Sequence, residues 1–285
     1  MARPSLASAR WRAWALIGAA GALAAAAASR AWAGPQDSAG AAAFLDQFRR
    51  SVYAEPIYIE FDLREMPRRG DEHLFRGRLW GARNEHGPIS RIEFDTAKGA
   101  PPDAVLVQGG PDPAVWVADA RGAGHRDQKA LTMPFVPGSD MTPFDLQMPY
   151  LYWLDAEFVG AVRIRGRPAY AYLFTPPGDF ASANPGVKGV TAYLDTQYGA
   201  FMQAEVAGAD GRAAKTLSLL ELRKVGERWI PRDLDVRNEM TRNKTRLSVT
   251  GVAIGIAVDP ATFDPDRLGA AAARPAEASV TRIEQ

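Results

Sequence analysis

The chain has 285 residues, with 34 Lys and Arg against 33 Asp and Glu, and it contains no Cys. This nearly neutral charge argues against nucleic acid or an anionic membrane surface as the main partner, because both bind concentrated basic charge. The absence of Cys excludes disulfides, thiolate metal sites and a thiol nucleophile. The length allows one large domain or two small ones.

The first 33 residues differ in composition from the rest. Three arginines precede an alanine-rich apolar run, Trp14 to Ala28, and Ala31-Trp32-Ala33 fits the small-x-small pattern of a cleavage site. The run is shorter than the ~20 residues that a membrane-spanning helix needs. We therefore predict a signal peptide over residues 1–33, cleaved after Ala33, with an uncleaved anchor as the alternative. Its removal leaves a small net negative charge.

One amphipathic helix is predicted directly after this segment, beginning at Asp37 or Ser38 and reaching about Tyr53. Its apolar residues fall on a single stripe: Phe44, Leu45, Phe48 and Val52. A helix that precedes a long sheet buries such a stripe on the apolar face of that sheet. The alternative is that this helix acts as a movable lid.

Alternation of apolar and polar residues at period two indicates β-strands over most of residues 34–268. Ile57 to Leu63 is a well-defined example, and four further runs lie between Val190 and Ile256. Short polar turns separate the runs and leave no room for crossover helices, so the strands must be antiparallel. The fold class is mainly β: one domain, 34–268, with about eleven strands in a single curved sheet. The alanine-rich tail, 269–285, is expected to be disordered or a loose helix.

The strand pattern fails between Gly122 and Leu154, a stretch rich in proline and large apolar side chains. Thr142-Pro143 reads as an N-cap followed by proline at the first helical position, which predicts a short helix from Pro143 to Leu146 or Met148. A loop this long and apolar is unsuited to water. We expect it to plug the end of the sheet or to cover its concave face.

Catalytic and metal-binding patterns are absent from the sequence. None of the three His forms an H-x-x-H or H-x-H pair, there is no G-x-S-x-G, and Gly109-Gly110 precedes a proline rather than a helix. Asp140 and Asp145 bracket the short helix, where negative charge near a helix start is favourable, in preference to a glycosidase-type pair. We therefore expect no enzyme activity, no cofactor and no metal.

The apolar residues are more numerous than a single open sheet needs for its own packing. A curved sheet with aromatic residues on its inner face could sheathe an acyl chain, burying methylenes at about 0.8 kcal/mol each. The same residues could instead fill a closed core. The sequence leaves both possibilities open.

Two stretches, Ser139 to Leu154 and Ala192 to Val252, resemble the outer-membrane lipoprotein-sorting proteins of the LolA-like superfamily. The resemblance lies in a Ser-Asp-Met-Thr-x-x-Asp-Leu segment, an AYLDTQYG strand, a Gly-x-x-x-Lys-Thr-Leu strand, a Gly-Glu-Arg-Trp-Ile-Pro hairpin and a return strand that begins at Thr245. It implies an unclosed antiparallel β-barrel whose hollow is closed by helical segments. It also implies a periplasmic carrier that takes lipid or lipoprotein acyl chains from an inner-membrane transporter to an outer-membrane acceptor.

Candidate ligand-binding residues follow from this interpretation, and we expect the protein to act as a monomer. The residues assigned to the lid and mouth are Phe48, Phe144, Leu146, Tyr150 and Trp153. The residues assigned to the concave wall are Phe61, Tyr170, Tyr172 and Phe174. The alternative function is a periplasmic regulator or adaptor on the same scaffold, which senses lipid or lipoprotein and binds a protein partner. A hydrolase is the third hypothesis and lacks a nucleophile–base pair.

Overall fold

The structure, a computed structural model, describes residues 38–96, 103–119, 122–126 and 128–284. The predicted signal peptide and its cleavage site lie outside these residues. The strands, in chain order, are β1 (Ile57–Met66), β2 (His73–Asn84), β3 (Gly87–Phe94), β4 (Asp103–Gln108), β5 (Ala114–Asp119), β6 (Gly122–Arg126), β7 (Ala156–Ile164), β8 (Arg167–Phe174), β9 (Gly189–Asp195), β10 (Phe201–Ala207), β11 (Ala213–Val225), β12 (Arg228–Asn238), β13 (Lys244–Ile254) and β14 (Thr281–Arg282).

Within the described ranges, the first thirteen strands form one antiparallel, unclosed sheet in the order β6-β5-β4-β3-β2-β1-β13-β12-β11-β10-β9-β8-β7, and β14 pairs with β13. The predicted fold class is confirmed. Two strands were missed: β6, whose sequence GAGHR has no apolar alternation, and the two-residue β14. Strands β6 and β7 lie at opposite ends of the order, so the intervening segment must pass between the two outer strands.

The helical elements are short except for the first. The α-helices of the described chain are α1 (Ser38–Ser51), α2 (Pro143–Gln147) and α3 (Gly178–Ala183). The 3₁₀ helices are Gln128–Thr132, Pro149–Tyr152, Pro260–Phe263, Pro265–Arg267 and Glu277–Ser279. The predictions of α1 and of a helix beginning at Pro143 after the N-cap Thr142 are confirmed. Helix α3 lies in a polar stretch containing Gly and Pro, a composition that predicts a loop rather than a helix.

The main core lies on the inner face of the sheet. Alternate residues of β1 point inward and are almost completely buried: Ile57, Ile59, Phe61 and Leu63. The apolar stripe of α1 is buried in the same cluster, together with the side chains of α2 and the following 3₁₀ helix. Burial at about 25 cal/mol per Å² of apolar area makes this cluster the dominant stabilising contribution. Helix α1 and the segment between β6 and β7 therefore cover the inner face.

The C-terminal residues cover part of the outer face of β1, β2 and β3. The indole Nε1 of Trp80 donates to the carbonyl of Ala273 at 3.1 Å, and a Glu93 carboxylate oxygen accepts from the backbone N–H of Ala272 at 2.8 Å. Strand β14 extends this cover by pairing with β13. The prediction of a disordered tail is therefore wrong for residues 269–284. The tail is held largely through its own backbone groups. Every residue has such groups, so the pattern of apolar residues does not predict these contacts.

Arg91 is the centre of this outer contact and is only 1% exposed. Its Nε donates to Glu93 at 2.8 Å, and its terminal nitrogens donate to the carbonyls of Thr262 and Leu268, both at 3.3 Å, and of Ala270. A buried charge is tolerated only when it is paired and hydrogen-bonded in this way. One guanidinium on β3 thus fastens the C-terminal segment to the sheet.

Replacing Arg91 with Met tests this role. The variant leaves the Glu93 carboxylate buried without its main partner, so we expect the free energy of unfolding to fall by about 3–5 kcal/mol. Limited proteolysis should cut residues 259–284 sooner than in the wild type. The control is Arg64→Met, which removes an exposed pair with Glu72 at 3.7 Å and should cost about 0–1 kcal/mol. Equal losses in the two variants would contradict a special role for Arg91.

Candidate functional site

The segment of residues 139–154, here called the lid segment, contains α2 and the 3₁₀ helix that follows it. The backbone N–H and the hydroxyl of Thr142 both donate to the Asp145 carboxylate at 2.8 Å, which fixes the start of α2. Met148 ends the helix in the left-handed conformation at φ 47°, and Pro149 begins the next turn. These local signals give a compact double turn rather than one long helix.

Polar contacts fasten the lid segment to three adjacent strands. The carboxylate of Asp145, 2% exposed, lies 2.8 Å from the ammonium nitrogen of Lys215 on β11. Asn238 on β12 donates to the Asp140 carboxylate at 2.8 Å, and the Asp140 N–H donates to the hydroxyl of Thr245 on β13 at 2.8 Å. We call these five residues the latch. The prediction that Asp145 serves the helix start is confirmed. The sequence motifs contained Lys215 and Thr245 without indicating their contacts.

An unbroken series of aromatic rings runs from α3 through the lid segment to helix α1. Neighbouring ring centroids lie between 5.1 and 6.4 Å apart, in edge-to-face, tilted or stacked contact. Contacts at such separations contribute about 0.5–1.5 kcal/mol each beyond their burial. We call the series the aromatic ladder, and its members are Phe180, Trp153, Phe144, Tyr150, Phe174, Tyr172, Phe158, Tyr170 and Phe44.

A cavity of about 600 Å³ opens to solvent at the end of the aromatic ladder that is formed by Phe180 and Trp153. We call it the mouth cavity. Trp153 and Phe180 form part of its wall, and the fully exposed Leu154 lies at its rim. Its volume lies within the range of about 300–1,000 Å³ typical of small-molecule sites. The cavity therefore joins solvent to the ladder.

Carboxylates give the mouth cavity its charge. Asp112, Asp155 and Asp179 are exposed side chains that line it, and its lining residues include neither Lys nor Arg within the described part of the chain. Asp112 lies at the hairpin tip between β4 and β5, Asp155 directly follows the lid segment, and Asp179 lies on α3. A cationic or neutral group is therefore favoured at the entrance over an anionic one.

Tyrosine hydroxyls connect the ladder and the cavity wall to α1. The Tyr172 hydroxyl donates to the carbonyl of Ala41 at 2.9 Å, and the Tyr152 hydroxyl donates to the carbonyl of Arg49 at 3.1 Å.

Burial raises the pKa of Tyr150 well above its ordinary value, and the charge of Asp145 raises this pKa further. Tyr150 is therefore a neutral hydrogen-bond donor at any physiological pH.

The nine residues predicted for the lid, mouth and concave wall all lie in one continuous core and are between 0 and 5% exposed. Of these, Trp153 also lines the mouth cavity. Phe61 packs against Phe94 with ring centroids 5.7 Å apart, outside the aromatic ladder. These nine residues are thus packed among the protein's own side chains, as the closed-core alternative stated, and the mouth cavity reaches one of them. Which residues bind a ligand stays a prediction.

Several residues of the site were missed in the sequence. Phe180 is the apolar anchor of α3, and only the Pro177-Gly178-Asp179 helix start could have indicated that element. Phe158 lies on β7 and packs against Tyr170 and Tyr172 at 5.3 and 5.7 Å between ring centroids. A bulge in β7 between Phe158 and Gly160 breaks the period-two pattern there, which hides its facing in the sequence.

The described residues contain no group of three or more His, Cys, Asp and Glu side chains placed to hold a metal ion. A search of the same residues for a helix long and apolar enough to cross a membrane found none.

Several solved structures are similar to this chain in fold. A domain described as an outer membrane lipoprotein-sorting protein from Vibrio parahaemolyticus gives a TM-score of 0.63 at 14% identity, covering 75% of this chain and 91% of that one. A LolA superfamily protein from Nitrosomonas europaea gives 0.62 at 14% identity, covering 80% and 99%. A DUF1329 family protein from Desulfovibrio piger gives 0.62 at 16% identity, covering 75% and 91%.

Likeness at such identities shows the fold, and this chain has the LolA-like fold. The resemblance read from the sequence motifs is therefore confirmed at that level. A family model described as an uncharacterized protein matches residues 129–270, which include the lid segment and the strands β7 to β13. A comparison with curated proteins found no match.

Replacing Lys215 with Met tests the latch. Asp145 then stays buried with only its Thr142 contacts, so we expect the free energy of unfolding to fall by about 2–3 kcal/mol. Amide hydrogen exchange should accelerate in residues 139–154 more than in the strands. The matched control is Lys224→Met on the same strand, which removes an exposed pair with Glu227 at 3.5 Å. An exchange pattern identical in the two variants would refute the latch.

Proposed function

We propose that this protein is a periplasmic carrier that binds a lipid or a lipoprotein acyl chain and moves it between the inner and outer membranes. The observation that carries the proposal is the mouth cavity, which leads from solvent to a ladder of aromatic rings under a short lid within a LolA-like fold. The fold is shared with a domain described as lipoprotein-sorting, which supports the cargo class. The role is binding and release, without a chemical step.

The geometry suggests how a chain would enter. The mouth cavity accepts the first part of an acyl chain, and deeper entry requires Trp153 and Phe180 to move aside. Ten methylenes transferred from water contribute on the order of 8 kcal/mol, before the cost of displacing these rings. The latch holds the lid segment by polar contacts that water can replace, whereas the lid's apolar contacts with the core must be replaced by contacts with the ligand when the lid moves.

Export and exchange partners complete the proposal. The residues 1–33 carry the pattern of a cleavable signal, which supports a periplasmic location. Within that compartment the carrier would receive its cargo from an inner-membrane transporter and deliver it to an outer-membrane acceptor. A monomer suffices for this cycle, because the cavity and the ladder are formed within one chain.

A second candidate function is a regulator or adaptor that senses lipid and binds a protein partner. One observation favours it: the edge strand β7 exposes Val159 and Val162, and Leu173 on the neighbouring β8 is also exposed. An edge strand with apolar side chains offers both backbone hydrogen bonds and apolar area to another chain. This candidate predicts a stable co-purifying partner and slow lipid exchange.

Filling the mouth cavity tests the carrier function. The mature protein should take up the neutral fluorescent probe N-phenyl-1-naphthylamine, and lipid should be released on solvent extraction or seen by native mass spectrometry. Ala183, which lines the cavity, is replaced with Trp, and we expect probe affinity to fall at least about tenfold, the equivalent of 1.4 kcal/mol of lost binding.

The control for this experiment is Ala261→Trp, the same change in a shallow cavity under the C-terminal segment on the outer face. It should leave probe binding unchanged. Wild-type protein that takes up neither probe nor lipid would overturn the carrier proposal. Equal binding by the two Trp variants would show that ligands do not enter through the mouth cavity.

A further inference from the structure

Two side chains behind the mouth cavity have polar atoms without a hydrogen-bond partner. Gln147 is 0% exposed and neither its Oε1 nor its Nε2 is bonded, and the hydroxyl of Tyr150, 1% exposed, is also unbonded. The hydroxyls of Tyr152 and Tyr172, close by, are both satisfied. Buried polar groups without partners lower stability, and native proteins keep few of them. Their presence at this place calls for a functional explanation.

Both side chains adjoin residues of the cavity wall or their immediate neighbours. Gln147 ends α2 beside Gly109, where an added β-carbon would lie 3.4 Å from the Gln147 Oε1, and the next residue, Gly110, lines the cavity. The ring of Tyr150 contacts the ring of Trp153 at 6.4 Å between centroids. A ligand that displaces Trp153 would contact the ring of Tyr150 at the start of the aromatic ladder, and the Gln147 amide lies beside the glycines at the hairpin tip of the cavity wall.

The chemistry of these groups selects the ligand. Gln147 offers one acceptor and one donor group, and neutral Tyr150 offers a further donor. A secondary amide presents the complementary pair, a carbonyl and an N–H, whereas an ester presents only the carbonyl. Among the described residues that line the mouth cavity there is no Lys or Arg to pair with an anionic ligand. Asp112, Asp155 and Asp179 would repel such a ligand. A carboxylate or phosphate head group at this depth would remain uncompensated.

We propose that Gln147 and Tyr150 form an internal subsite for the amide group of an N-acylated ligand, with the acyl chain lying along the aromatic ladder. The amide N–H donates to the Gln147 Oε1, and the amide carbonyl accepts from the Gln147 Nε2 or the Tyr150 hydroxyl. This inference rests on the proposed function and adds to it the chemical class of the cargo. It also explains why two side chains that weaken the empty protein are retained.

The test compares three twelve-carbon ligands that differ only at the polar group: N-methyldodecanamide, methyl dodecanoate and the dodecanoate anion. Each is titrated against the protein loaded with N-phenyl-1-naphthylamine. We expect wild type to bind the amide at least tenfold more tightly than the ester, and the anion most weakly. Gln147→Met should reduce the amide-to-ester ratio to about one, and Tyr150→Phe should weaken the amide and the ester alike.

Thermal unfolding of the empty proteins separates a binding role from a structural one. Both variants remove unpaired buried groups, so their melting temperatures should equal or exceed that of the wild type. The matched controls are Tyr58→Phe and Gln203→Met, whose polar groups bond Glu60 and Glu205 away from the cavity, at 2.9 and 2.8 Å. These controls should keep the wild-type amide-to-ester ratio.

Each result bears on one claim. A wild-type amide-to-ester ratio below two overturns the amide subsite, even where the variants do not fold. A full ratio in Gln147→Met, or a lower melting temperature with unchanged selectivity, also overturns it. In those cases the probe and the ester still bind, and the carrier function stands. Absence of binding by every compound, the probe included, instead overturns the proposed function itself.

Discussion

The whole structure depends on covering one apolar face. Every strand from β1 to β13 belongs to a sheet that does not close, so the inner face cannot be buried by the sheet alone. The chain supplies the cover from two places, α1 before the first strand and the lid segment between the two outer strands, β6 and β7. The lid segment is attached to the rest of the molecule in two ways, by apolar packing on the inner face and by the latch, and it cannot leave the inner face without a change in one of them.

Those attachments differ in kind, which decides what can move. The inner surface of the lid segment is apolar and aromatic, whereas its connection to β11, β12 and β13 consists of Asp140, Asp145 and their three polar partners. Polar contacts exchanged for water cost little compared with exposing the same area of aromatic surface. An apolar ligand that replaces the lid's own aromatic contacts removes that larger cost. In the proposed carrier, opening would therefore become favourable when an apolar ligand is present to be enclosed.

Individual residues show which features of the structure the sequence predicts and which it does not. The stripe that begins at Phe44 and the Thr142-Pro143 start of α2 were predictable, because each depends on neighbours within one turn. The contact of Asp145 with Lys215 was not, because it joins positions 70 residues apart. The order of the tail was not predictable, because Arg91 binds backbone carbonyls of the tail, and backbone carbonyls are the same in every sequence. The mouth cavity was equally hidden: its walls come from a hairpin tip, the lid segment and α3, and no single stretch carries its pattern.

A filled interior is consistent with carrying rather than opposed to it. A permanently open hollow would give a long acyl chain the full gain of about 0.8 kcal/mol per methylene and would hold it too tightly for release. In the proposed carrier, an incoming chain would replace the packing of Trp153 and Phe180, so the net affinity would be the difference between two apolar contacts. That difference is small for each methylene and similar for every chain of the same length. On the proposed function, selectivity would then come from polar groups that have no hydrogen-bond partner within the protein, such as those of Gln147 and Tyr150.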